Sequence, residues 1–150
     1  MNREILFRGK SIISNEWLYG NLITSGDNHF FIVPFDEIEE DGHHIRTKDN
    51  YYEGHYAVEP KSLGQYTGLK DKNGVRIFEG DIVNACYDCG VIEFNCGVFG
   101  INWDYGRCDK TTMYGTFGQR HNLRRMDDEI IDRIEIIGNI YDNPELLKTK

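Results

Sequence analysis

Short apolar runs separated by clusters of Gly, Asn, Asp and Ser set the pattern of this chain. Glu4-Ile5-Leu6-Phe7-Arg8 is an apolar run with charged flanks, followed by Glu16 to Ile23 behind a Ser14-Asn15 turn and by His29 to Val33 behind Ser25-Gly26-Asp27-Asn28. β-branched and aromatic runs punctuated in this way predict an antiparallel meander. Trp17, Tyr19, Phe30 and Phe31 then read as core residues. Asp36 to Gly42 is polar and acidic, a short helical turn or solvated loop, and His43 and His44 open a possible strand through Thr47. Neighbouring histidines on a strand point to opposite faces, so these two do not share a metal ion. Tyr51 to Pro60 is a candidate strand or strand pair that ends at Pro60, which has no N–H to donate. Lys61 to Lys72 reads as the connection to a second unit.

The stretch from Gly64 to Val83 carries four glycines and leads into a strand pattern. Within it Asn73-Gly74 predicts a type I′ hairpin turn, because both central residues of that turn need positive φ. Glu79-Gly80-Asp81 is the next turn and Asp81 to Tyr87 the next strand. Asp88-Cys89-Gly90 then turns the chain, Val91 to Phe94 pairs back, and Val98 to Trp103 follows Asn95-Cys96-Gly97. Asp104 to Gln119 is an irregular, glycine-bearing loop. Arg133 to Tyr141 is a strand with a bulge expected at Gly138. Asn143-Pro144 starts a short C-terminal helical turn, with Asn143 as N-cap and Pro144 at the first helical position. Several short strands joined by tight turns predict a small closed or partly closed barrel. The expected organisation is mostly β: an N-terminal antiparallel unit over residues 1–63 packed with a C-terminal barrel over 64–150.

Composition narrows the function more than it defines it. The formal net charge is −8, and aromatic residues make up 13% of the 150. Residues 1–65 hold 6 basic and 11 acidic side chains, net −5; residues 66–150 hold 11 and 14, net −3. Neither balance suits nonspecific grip on phosphate backbones. The N-terminal residues show no secretory apolar segment, and no run is long enough to cross a membrane, so a cytosolic setting with four reduced cysteines is expected.

Candidate chemistry is sparse. Cys86-Tyr87-Asp88-Cys89-Gly90 has the spacing and trailing glycine of a zinc knuckle, which aims two thiolates at one point. A structural zinc site needs four ligands, and Cys96 and Cys108 are too far apart in sequence to form a second knuckle, with His121 a possible fourth ligand. Gln119-Arg120-His121-Asn122-Leu123-Arg124-Arg125 is a basic cluster, followed by Asp127, Asp128, Glu129 and Asp132. It reads either as a self-neutralising surface or as a phosphate contact through Arg120, Arg124 and Arg125 beside aromatic rings. No phosphate loop, nucleophile elbow or metalloprotease motif occurs, so neither catalytic residues nor a cofactor are assigned and an enzyme is not expected.

Three motifs in order point to a family. Gly64-Gln65-Tyr66-Thr67-Gly68-Leu69-Lys70-Asp71, Glu79-Gly80-Asp81-Ile82-Val83 and Ile136-Ile137-Gly138-Asn139-Ile140-Tyr141-Asp142-Asn143-Pro144-Glu145-Leu146-Leu147 resemble the YopX family of bacteriophage and prophage proteins, as does the opening Arg3 to Arg8. The resemblance implies a mostly-β protein with an SH3-like barrel in its C-terminal part, a phage origin and a host-cytoplasmic setting, and no assigned activity. The four cysteines inherit no role from it. The expected function is therefore an accessory role by protein–protein contact, with self-association through exposed strand edges and aromatic surface. Nucleic-acid binding through the arginine cluster and a zinc-stabilised domain through Cys86 and Cys89 are the alternatives.

Overall fold

The computed structural model describes residues 4–26, 28–40, 45–47, 56–85, 88–95, 97–102, 121–122 and 133–147. The chain divides into two compact units, Met1–Tyr66 and Thr67–Lys150. The described residues are mostly β, in antiparallel sheets.

In the first unit, β1 (Phe7–Lys10), β2 (Trp17–Thr24) and β3 (Phe30–Val33) form the expected meander. The eight-residue β2 serves both neighbours: Trp17 to Gly20 pair with β1, and Asn21 to Thr24 pair with β3. Gly20 sits where the partner changes. A Cβ built there would lie 1.9 Å from the Val33 carbonyl oxygen, so only glycine allows the β3 backbone to pass this close. Among the described residues of this unit, Leu6, Ile32, Val33, Val58 and Tyr66 are the buried apolar ones. The outer edge of β3 is already occupied: the Ile32 N–H donates to the Tyr56 carbonyl at 2.9 Å, and the Val58 N–H to that of Phe30 at 3.0 Å.

After β3 a 3₁₀ turn at Phe35–Glu37 leads into β4 (Ile38–Glu40), which pairs with β5 (Ile45–Thr47) in a two-stranded ladder. The acidic segment thus contains a turn and then a strand. A second 3₁₀ turn, Pro60–Ser62, precedes β6 (Gly64–Lys70). Here the structure corrects the expectation of a plain connection over 61–72. Gly64 and Gln65 pair with Arg8 and Phe7, and the Tyr66 N–H donates to the Leu6 carbonyl at 2.8 Å. Two glycines weaken the local strand signal of β6, and its partner, nearly sixty residues away, supplies the order.

The second unit adds β7 (Arg76–Phe78), β8 (Asp81–Ala85), β9 (Asp88–Asn95), β10 (Val98–Asn102), β11 (His121–Asn122) and β12 (Glu135–Asn139). The last five make one antiparallel sheet in the order β11-β10-β9-β8-β12. Register puts Val83, Ile92, Ile101 and Ile136 on one face, where Val83, Ile92 and Ile101 join Ile77, Phe99 and Ile134 in the core and Leu69 and Ile136 pack against it. Each fully buried Ile or Val here contributes roughly 1.5–3 kcal/mol.

Three local expectations change. The order of the sheet does not return on itself among the described residues, so an open sheet stands where a closed or partly closed barrel was expected. Asp88-Cys89-Gly90 is not a turn: Asn84 pairs with Cys89 and Val83 with Gly90, which places all three inside β9. At the C-terminus, Pro144–Leu147 is a 3₁₀ turn. The Asn143 side chain does not cap it but accepts the Asn139 N–H at 3.3 Å, while the Asn143 carbonyl takes the Leu146 N–H. The bulge in β12 is present, with the register shifting between Ile136 and Gly138.

Candidate functional site

The glycine-rich segment that dominates the sequence is built around Asp71. The Asp71 N–H donates to the Val75 carbonyl at 2.8 Å, and the Gly74 N–H to the Asp71 carbonyl at 2.9 Å. Asp71 Oδ1 accepts the N–H groups of Asn73 at 2.8 Å and Val75 at 2.9 Å. Gly74 has φ +80°, whereas Asn73 has no positive φ. The turn is therefore a three-residue loop closed by a glycine, not the type I′ turn expected from Asn-Gly, because the Asp71 carboxylate gathers the loop amides from within. The other carboxylate oxygen accepts the Ile136 N–H at 3.2 Å, and the Lys72 N–H donates to the Ile134 carbonyl at 2.9 Å. Burial raises the Asp71 pKa, but hydrogen bonds from the Val75, Ile136 and Asn73 amides outweigh it and hold the carboxyl below its ordinary value. An ion pair between Lys72 and Glu135 adds to the same junction.

A second anchor follows at once. The buried Asp81 takes the Phe78 N–H on Oδ2 at 2.7 Å, closing the turn at Gly80, whose φ is +82°. Gly80 also links two strands: its N–H donates to the Ile92 carbonyl and its carbonyl accepts from Ile140. Both acids are thus structural anchors, Asp71 accepting three backbone amides and Asp81 the Phe78 amide, which is the local reason for their place in the motifs.

The first unit carries a cation–aromatic cluster on one face of the β1–β2 hairpin. Register sets Arg8 opposite Tyr19 and Lys10 opposite Trp17. The Arg8 guanidinium lies 4.8 Å from the centre of the Trp17 ring, and Lys10 Nζ lies 5.8 Å from it. Arg8 is buried beneath this contact, while Tyr19 is 47% exposed. Such contacts are worth about 0.5–1 kcal/mol at a surface and about 2 when desolvated. Sequence reading passed over this cluster; its signal was the alternation of Arg8 and Lys10 on one strand, read with the hairpin register.

The cysteine reading is corrected. Cys89 lies buried in β9 and is disulfide-bonded. A disulfide sulfur is not a thiolate, so Cys89 is not available to the zinc knuckle proposed with Cys86, and the expectation of four reduced cysteines does not hold. Cys86, Cys96 and Cys108 lie outside the described residues, as do Arg120, Arg124 and Arg125. Of the arginine cluster only His121 and Asn122 are described, as strand β11 opposite Ile101 and Gly100.

Compared with protein families, residues 6–148 match the YopX protein family model. The chain belongs to the YopX family. Comparison with curated proteins gives no match. Among solved structures, this YopX-family chain is similar to the crystal structure of protein EF1440 from Enterococcus faecalis, at 26% sequence identity and a TM-score of 0.55. The likeness covers 98% of this chain and 100% of that one. The family match runs through both units and takes in the Asp71 and Asp81 anchors. Among the described residues no helix of this YopX-family protein is long and apolar enough to cross a membrane.

Proposed function

We propose that this YopX-family protein is a phage accessory protein that works by contact, associating with copies of itself and with a protein partner rather than performing a reaction. The observation that carries this reading is a set of large apolar side chains about half exposed in both units: Ile12, Ile13 and Phe35 in the first, Val75 and Phe94 in the second. Scattered exposed apolar residues are ordinary, but adjacent ones on a rigid backbone are usual association surfaces. The edge of β3 is occupied by the 56–58 segment and that of β12 by Asp71 and Lys72, so at these two edges side chains rather than free backbone are the means of contact in this reading. The SH3-like relation that the family resemblance implies for the second unit belongs to the same proposal, as a small β platform. A host-cytoplasmic setting is also part of it, and the bridge at Cys89 weighs on the other side, since cytosolic proteins seldom keep disulfides.

Light scattering of the purified chain tests self-association. A mass that is a multiple of 17.5 kDa is expected, and a 17.5 kDa species at every concentration overturns it. Affinity capture from prophage-induced cells tests the partner: enrichment of a discrete protein supports the reading, whereas recovery of nucleic acid alone replaces it with the nucleic-acid alternative.

A further inference from the structure

We infer that the tip of the β1–β2 hairpin is the surface through which two copies of this chain meet. This inference rests on the self-association proposed above and names its site. The tip spans Ser11 to Glu16, and its backbone is fixed from several sides. The Ser11 N–H donates to the Glu16 carbonyl at 2.8 Å and the Asn15 N–H to the Ser11 carbonyl at 3.0 Å. Ser11 Oγ accepts the N–H groups of Ile13 and Ser14, each at 3.2 Å. The Ile12 N–H donates to the Ala57 carbonyl at 3.0 Å, tying the tip to the neighbouring segment. On this fixed frame Ile12 and Ile13 stand 55% and 57% exposed. Turn chemistry calls for Gly, Asn, Asp or Ser at such places and has no use for two β-branched apolar residues side by side. A rigid loop that holds them in water loses little further entropy when they are covered.

The charges around the tip select the occupant. Lys10 and Glu16 flank the loop in sequence. The Glu59 N–H donates to the Lys10 carbonyl at 2.9 Å, and the Lys10 N–H to Ser62 Oγ at 2.7 Å, which brings Glu59 and Lys61 alongside. Glu16, Glu59 and Lys61 are exposed and Lys10 is half-buried. Two lysines and two glutamates thus adjoin the loop, Lys10 with its ammonium over the Trp17 ring and the other three exposed. The residues of this unit, 1–66, carry 6 basic and 11 acidic side chains, a net −5 that on average disfavours the approach of a second copy. A rim with equal numbers of each sign does not, and it satisfies the requirement of a two-fold contact, in which each residue facing a partner is faced in return. A polyanion would meet the two glutamates and a basic partner the two lysines, so a second copy fits best. Two isoleucines and four charges make a small contact, which places the dimer in the transient class.

Sedimentation velocity over a concentration series tests this with the full chain, the I12D/I13D variant and the K61E variant. The wild-type chain is expected to dimerise, I12D/I13D to raise the dissociation constant about 30-fold or more, and K61E to raise it less and in a salt-dependent way. Wild-type protein that stays monomeric overturns both this inference and the self-association beneath it. Wild-type protein that associates while I12D/I13D associates equally well overturns the tip alone. Circular dichroism confirms that I12D/I13D is folded, and I12S/I13S replaces it in the same comparison if it is not.

Discussion

Asp71 holds Ile136 across 65 residues of sequence: one carboxylate oxygen receives the Ile136 amide at 3.2 Å while the other closes the turn that Asp71 itself begins. One side chain therefore shapes the hairpin ahead of β7 and fastens the last strand of the sheet to it. A carboxylate accepts from three amides here, and neither an amide nor a hydroxyl side chain can do the same. That is the physical reason for an aspartate at the end of the glycine-rich motif.

Replacing Asp71 by asparagine is expected to cost about 1–3 kcal/mol at neutral pH, because an NH₂ group then faces amide donors. The pH dependence follows from the lowered pKa. Ionisation of Asp71 favours the folded chain, so its contribution is complete above the unfolded value of 3.8 and is lost as the pH falls through the still lower folded value. Urea unfolding at pH 7 and at pH 3 measures both effects, and the wild-type chain should lose more stability between the two than D71N. Equal losses would show that Asp71 carries no part of the acid sensitivity.

Two glycines should respond differently to the same substitution. At Gly20 an added Cβ meets backbone, the Val33 carbonyl oxygen at 1.9 Å, so Gly20→Ala is expected to cost about 3 kcal/mol or more or to shift β3. At Gly138 the obstacles are side-chain ends, Asn143 Oδ1 at 2.7 Å and Leu146 Cδ1 at 2.9 Å, and the cost should be about 1 kcal/mol, near that of the Asn139–Asn143 hydrogen bond. Denaturant midpoints of the two variants rank them, and a reversed order contradicts the close approach at Gly20.

Burial within the β8–β12 sheet gives a third comparison. Ile92 is fully buried in the core, whereas Ile137, at the bulge of β12, is 39% exposed. Truncating Ile92 to alanine should cost about 2–5 kcal/mol, and truncating Ile137 within about 0.5 kcal/mol. Thermal or urea unfolding of both variants checks the assignment of faces, since a one-residue slip of β9 would expose Ile92 and one of β12 would bury Ile137.

The bridge at Cys89 predicts a thiol count. Four cysteines less the two of the bridge leave no more than two free thiols in denatured, unreduced protein. Titration with a thiol reagent before and after reduction measures this. Four reactive thiols without reductant would remove the bridge and return Cys89 to consideration as a metal ligand.

The parts of this molecule legible in the sequence are those fixed by neighbours along the chain. The meander from β1 to β3, the turns at Gly74, Gly80 and Gly97, and the bulge before Gly138 all show in local turn chemistry and alternation. What was misread depends on distant partners. β6 carries few β-branched residues and is ordered by pairing with β1. Gly90 looks like a turn residue until Val83 is seen opposite it. The candidate sites followed the same rule. Motif spacing drew attention to Cys86 and Cys89, whereas the Trp17 cluster and the isoleucine tip emerge only once hairpin register brings Arg8 and Lys10 beside Trp17 and the 57–62 segment beside the loop.

The fastening of β12 also decides how this protein can and cannot polymerise. An incoming strand needs an alternating row of donors and acceptors to copy, and the Ile136 amide in β12 and the Ile134 carbonyl just before it are already spoken for, one by a carboxylate and one by a loop amide. With those two groups engaged, that side of the sheet is a poor template for runaway ladder growth, which leaves this YopX-family chain one fewer route to insoluble fibres.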